Sequence, residues 1–320
     1  MPIASAGSDY NNLLTTTAEK LVRSKKDNIF DRIPFFDRLN KRGRVKKDGG
    51  GESIMYITEY GQNDNELSYS GTDLLRTDQH EFLMRAFYNY RSYAINITIT
   101  GDDKDKNASD PTKLLDLLDA KISNAEKSLA DKLNRHAFAA GTGNDSKDIL
   151  GLQAIVADTP TTGTTGNINC ATYTWWRNQY TNTAGSFASG GGAFMRDLYH
   201  DCMRTGEPTV LVTTQVIFEY YEGTLIPQVR YTDVKEANSG FTSLTYKGKP
   251  IFFDRDCGSG RMYMLNEDEL DLWILNGKDF TMGPFITPPD QDVSIAQLYF
   301  KGQLATGERR AHGVITGITA

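Results

Sequence analysis

Apolar residues in one stretch of the chain recur at spacings of three and four. Leu114, Leu118, Ile122, Ala125, Leu129 and Leu133 form a continuous stripe, which predicts an amphipathic helix over 110–141. Asp110 is a good cap for its start, Pro111 suits the first helical position, and Gly141 suits the stop. About thirty residues at roughly 1.5 Å each give a rod of about 45 Å. Helices in compact domains average about eleven residues, so this one reads as a girder.

Around the girder the pattern has a period of two. Residues 53–60 alternate and are rich in β-formers. Within 82–100, Tyr93, Ile95, Ile97 and Ile99 alternate with Ala94, Asn96, Thr98 and Thr100. The polar stretch 61–78 lies between them, so 53–100 reads as a long hairpin with a wide polar tip. Gly49, Gly50 and Gly51 precede it as a hinge. An isolated hairpin is marginal in water, which implies packing on a neighbouring subunit. Further along, the pattern predicts helices over 193–205 and 215–222. Strands are predicted over 209–213, 243–247, 250–254, 261–266, 270–275, 296–302 and 311–316, with a turn at Lys247–Gly248–Lys249. Residues 1–19 and 142–169 read as loosely structured. The class is α+β.

Charge changes the picture of the N-terminal part. Residues 20–47 hold eleven Lys or Arg against three Asp, a local +8, while the chain as a whole carries −6. Ile33, Phe35, Phe36 and Leu39 give this basic arm an apolar anchor. A solvated arm is the plain reading. The sharper one is an arm that docks on acidic surface or, without base specificity, on nucleic acid. Three widely spaced cysteines, Cys170, Cys202 and Cys257, fit neither a disulfide framework nor a zinc site and point to a reducing compartment. Residues 1–14 do not read as a signal peptide, and no apolar run approaches the roughly 20 residues that cross a bilayer.

The candidate chemistry is thin. Asp103, Asp105 and Asn107 are spaced like the opening of a calcium loop. Ala108 and Leu114, however, stand where that loop needs Gly and Glu. Gly258–Ser259–Gly260 has Cys257 where a nucleophile elbow needs Gly. Gly141–Thr142–Gly143 follows a helix instead of a strand and lacks a third glycine. His80, His136, His200 and His312 have no metal-spaced partner. Trp175–Trp176 could stack on a sugar or base, but a buried aromatic cluster or a subunit interface is the better reading. The expectation is a structural protein and not an enzyme, with no cofactor and no metal.

Several strings resemble the major capsid proteins of tailed bacteriophages. They are Ala171–Thr172–Tyr173–Thr174–Trp175–Trp176–Arg177–Asn178–Gln179, Leu211–Val212–Thr213–Thr214–Gln215, Tyr220–Tyr221–Glu222–Gly223, Arg230–Tyr231–Thr232–Asp233, Gly240–Phe241, Lys247–Gly248–Lys249–Pro250 and Arg261–Met262–Tyr263–Met264–Leu265–Asn266. They are densest over 171–266 and specific together more than singly. The resemblance implies the Hong Kong 97-type capsid fold. On this chain that means an N-terminal arm at 1–48 and an extended hairpin loop at 49–92. A peripheral domain with a spine helix would combine 93–150 with 285–320, and an axial domain would span 151–284.

It also implies pentamers and hexamers that close an icosahedral shell around a phage genome. Assembly would take place in the host cytoplasm, the product would be the virion capsid, and no membrane would be involved. Scaffolding, portal and cement proteins would be partners, together with packaged double-stranded DNA held non-specifically. The residues expected at subunit contacts are Phe35, Phe36, Arg42, Arg44, Lys46 and Lys47 on the arm. Asp64, Leu67, Tyr69 and Leu74 on the loop, with Trp175 and Trp176, complete that set. Some members of the family join subunits through a loop lysine. No lysine lies between Lys47 and Lys104 here, so a non-covalent shell is expected. The other readings are an encapsulin-like compartment shell, which shares the fold, and a decoration or tube protein, which would lack a spine helix beside an extended hairpin.

Overall fold

The computed structural model describes residues 34–63, 65–106, 111–203, 206–225 and 244–319; for 106, 111–116, 183 and 184 it describes the backbone alone. The segment 1–33, Asp64, the cap Asp110 and the strings 230–233 and 240–241 lie outside the described residues.

The chain opens with α1 (Pro34–Lys41) and β1 (Val45–Asp48). Strands β2 (Ser53–Glu59) and β3 (Leu83–Asn89) come next, then β4 (Arg91–Thr100), α2 (Gly101–Lys106) and the long helix α3 (Pro111–Ala137). A small hairpin, β5 (Thr164–Thr165) and β6 (Ile168–Asn169), leads to β7 (Gln179–Ser186), α4 (Phe187–Cys202), β8 (Val210–Thr213) and α5 (Gln215–Leu225). The remainder is strand: β9 (Leu244–Tyr246), β10 (Lys249–Phe253), β11 (Met262–Leu265), β12 (Leu270–Leu275), β13 (Thr281–Met282), β14 (Val293–Thr306) and β15 (Gly313–Thr319).

The girder forms over 27 residues, a rod of about 40 Å at ~1.5 Å per residue. Its stripe is buried: Leu118, Ile122, Ala125, Leu129 and Leu133 are all at most 5% exposed. Leu118, Ile122 and Ala125 pack on Ile97 and Ile99 of β4 and Ala296 of β14. The helix stops at Ala137, four residues before the predicted end, where Ala139 N–H turns back to His136 O and tightens the last turn.

Two sheets organise the rest. In the first, β4 runs antiparallel along one side of β14, while β12 and β13 lie on its other side and β1 adds in parallel to β12. The second has the order β7–β15–β11–β8–β10–β9. These pairings run across the expected boundaries. Strands β12 and β13, placed in 151–284, belong to the sheet of β4 and β14. Strand β15, placed with 285–320, sits inside the other sheet between β7 and β11. The residues 34–48, placed in the arm, are built into the body. Alternation along a strand shows that the strand exists but does not name its partner.

Two further corrections are local. The single extended run 82–100 breaks at Tyr90: β3 pairs with β2, and β4 leaves for the first sheet. Helix α4 starts six residues earlier than its pattern and runs through Gly190–Gly192. A Cβ at Gly191 would stand 2.5 Å from the Phe187 ring, so packing favours glycine where helix propensity does not.

Candidate subunit-contact surface

Strands β2 and β3 pair in register from Ser53–Asn89 to Glu59–Leu83, and 60–82 connect them, with no further strand or helix among the described residues. Their two faces differ. The inner face carries Ile54, Ala86 and Tyr88, all buried. Tyr56 Oη donates to Asp271 Oδ2 at 2.5 Å and accepts from Trp273 Nε1 at 2.8 Å. Tyr88 Oη donates to Thr306 O at 3.0 Å, and Thr58 Oγ1 to Gly307 O at 2.9 Å. Burial pushes both phenols above their ordinary pKa, so they stay protonated donors at neutral pH. Beneath them the β5–β6 turn holds Gly166 and Asn167 at φ 61° and 63°. A Cβ on Gly166 would come within 3.1 Å of Ala86 and Tyr88. The base of the hairpin is therefore fastened to its own subunit.

The outer face is open and carries four large apolar side chains, with Arg85 among them opposite Ile57. Met55 stands opposite Phe87, with Ile57 and Leu83 beside them, and their exposures run from 39% to 60%. Beyond the strands, Tyr69, Leu74, Leu75 and Phe82 are exposed as well, Leu74 at 95%. Large apolar side chains gathered this way mark a contact site. The outer face was missed in sequence. Its signal is Ile54–Met55–Tyr56–Ile57, apolar at consecutive positions, which asks for cover on both faces of a strand while the subunit covers one.

The expected contact residues divide. Leu67, Tyr69 and Leu74 are exposed on the connecting segment. Trp175 is half-buried and stacks on Tyr60. Phe35, Phe36 and Trp176 are at most 3% exposed, so they are core side chains of this subunit and not surface anchors. The Phe35 and Phe138 ring centroids are 5.4 Å apart, and Trp176 Nε1 donates to Thr165 O at 2.9 Å.

The four basic residues pair within the subunit. Arg42 and Arg38 both reach Glu267, which also accepts from Thr209 Oγ1. Arg44 reaches Asp268 at 2.9 Å, Lys46 reaches Asp271 at 2.7 Å and Lys47 reaches Asp279 at 2.9 Å. This part of the basic run thus finds its acidic surface on its own body. The run of charge was legible; the identity of its partner was not.

Behind the hairpin lies a polar junction. Arg309, 1% exposed, donates to Ile155 O at 2.7 Å, to Asn178 Oδ1 at 3.1 Å and to Cys170 Sγ at 2.8 Å. His312 is fully buried. Its Nδ1 accepts from Asn266 N–H, so the proton sits on Nε2, 3.2 Å from Thr306 Oγ1. These side chains tie the turn after β14 to the segment around Trp176. Among the described residues, no group of three or more His, Cys, Asp or Glu is placed to hold a metal. No described helix is long and apolar enough to cross a membrane.

No protein-family model matches the sequence, and no curated protein matches it. Solved structures do. A chain of the cyanophage A-1(L) capsid aligns over 87% of this chain and 91% of its own, at 19% identity and a TM-score of 0.65. The capsid of a native GTA particle aligns over 88% and 90%, at 13% identity and 0.54. An encapsulin of Synechococcus elongatus aligns over 88% and 87%, at 9% identity and 0.54. The fold is the mixed helix-and-sheet fold of phage capsid chains, the Hong Kong 97-type fold expected from the resemblance.

Proposed function

We propose that this chain is the major capsid protein of a tailed bacteriophage. It assembles as pentamers and hexamers into a closed icosahedral shell around the phage genome. The observation that carries this reading is the pairing of a capsid-type fold over most of the chain with a hairpin whose inner face is fastened to its own body and whose outer face leaves Met55, Ile57, Leu83 and Phe87 open. The open face supports contact with a second copy. Closed symmetry repeats each contact around the shell, so no single one needs to be strong.

The role is structural and not catalytic. The protein assembles in the host cytoplasm and ends in the virion capsid. Scaffolding, portal and cement proteins and packaged double-stranded DNA are its further partners, the DNA held through charge without base recognition. Sedimentation of the purified protein tests the reading: pentamers, hexamers or closed particles are expected. A strictly monomeric species at high concentration contradicts it. Empty shells that exclude nucleic acid and take up protein cargo would replace it with the encapsulin-like alternative.

A further inference from the structure

The charge of the chain changes sign along α3. Residues 101–120 carry −3, while 121–136 carry +2. The outward face of the second half is formed by Lys127, Ser128, Asp131, Lys132 and Arg135, all exposed, opposite the buried Ile122, Ala125, Leu129 and Leu133. Among the described residues, Lys127, Lys132 and Arg135 form no ion pair. Asp131, the acid on this face, is met by Arg255 Nη2 at 3.7 Å, so a fourth cation stands over it. Arg255 comes from the loop after β10, and its side chain is 73% exposed. The positive field reaches the neighbouring imidazole: burial lowers the pKa of His136, Asp148 raises it, and Lys132 and Arg135 lower it. A helix C-terminus favours cations, but that effect fades within the last turn. It accounts for Arg135 and not for Lys127 and Lys132, which lie before that turn.

We infer that this face of α3, through Lys127, Lys132, Arg135 and Arg255, is the surface that meets the phosphate backbone of packaged duplex DNA. The inference rests on the shell reading and adds the surface to it. Lys127 to Arg135 spans about 12 Å of helix. Duplex DNA presents one phosphate per about 1.7 Å of its axis, so a row of that length faces several phosphates whatever the sequence. An extended acidic polypeptide offers at most one charge per roughly 3.3 Å, so the duplex is the better match in charge density. Lysine and arginine on one helix face can follow a phosphate backbone without a fixed register, which suits contact without base recognition. The chain as a whole carries −6, so repulsion elsewhere steers a polyanion towards this ridge.

Fluorescence anisotropy with a short random-sequence DNA duplex, on the unassembled full-length protein, tests it. The logarithm of the binding constant should fall linearly with the logarithm of salt between about 50 and 200 mM. The variant K127Q/K132Q/R135Q should keep the parent's Tm and flatten that slope by about 2 to 3, since each lost phosphate contact removes about 0.9. Its binding at the low-salt end should be weaker by roughly tenfold or more. The charge-conserving K127R/K132R should keep the parent slope, as should K147Q/R196Q, whose cations are exposed elsewhere on the subunit. Equal slopes for the parent and the triple variant overturn the inference, as does a parent that binds no duplex. Tighter binding of polyglutamate than of duplex overturns it too, in favour of an acidic protein partner. Electron microscopy of the same preparations separates this from the shell reading. Normal parent shells with equal slopes remove the DNA surface alone, and absent parent shells remove both.

Discussion

The rings of Tyr60 and Trp175 stack with centroids 5.1 Å apart and planes 12° from parallel. This contact fastens the end of the hairpin strands to the body, and the chain from Gly61 to Phe82 continues beyond it. Trp175 and its neighbour Trp176 therefore do different work.

Trp175→Ala should remove a stacking contact worth about 0.5–1.5 kcal/mol beyond its area. Protease cleavage within 61–82 should accelerate severalfold with little change in Tm. Trp176→Ala should cost about 3–5 kcal/mol, because the side chain is buried in the core. Equal losses of Tm in the two variants would contradict this division.

Met55→Glu and Ile57→Glu alter the open face alone. Each should leave the subunit within about 0.5 kcal/mol of the parent by denaturant unfolding. Shell formation should fail in both. Deleting Asn63 to Thr72 should act the same way, with a folded subunit and no normal particles. Normal shells from any of the three would remove the hairpin from the contact.

Glu267 is 2% exposed and holds Arg38, Arg42 and Thr209. Removing it leaves Thr209 without its acceptor and Arg38 and Arg42 to solvent, which both partly reach, so Glu267→Ala should cost about 1–3 kcal/mol. Neutralising Arg42, Arg44, Lys46 and Lys47 together should lower the Tm of the isolated subunit, since their partners lie on the same chain. A drop in assembly with unchanged subunit Tm would show that these charges act between subunits instead.

Burial, with the Arg309 charge nearby, pushes His312 down to about 3. The unfolded chain takes up this proton near pH 6.5 and the folded chain does not. Stability is therefore lost as pH falls from about 6.5 towards 3, by up to about 1.4 kcal/mol per pH unit. His312→Gln should flatten that part of the curve, and urea unfolding between pH 4 and 7 reads it directly. An unchanged slope would mean that His312 is not the titrating group.

Much of the fold was legible where local pattern and burial agree. The stripe from Leu118 to Leu133 needs one covered face, and a helix supplies it. The β9–β10 turn was legible from Lys247–Gly248, whose φ values of 48° and 76° suit a tight hairpin turn. Partnership was not legible. Strand β1 joins β12, more than 220 residues later in the chain, and no local period encodes that. The same holds at the contact surface. Phe35 and Phe36 read as an anchor for something apolar, and only the folded chain shows that Phe138 and the core behind it take that role. The exposed face of Met55, Ile57, Leu83 and Phe87 was not legible, because alternation separates the two faces of a strand without saying which of them the subunit covers.

Electron microscopy of the purified full-length protein, assembled at high concentration, tests the central claim most directly. Closed, symmetric shells built of fivefold and sixfold clusters are expected. A field of monomers, or of open tubes without fivefold vertices, would contradict the account.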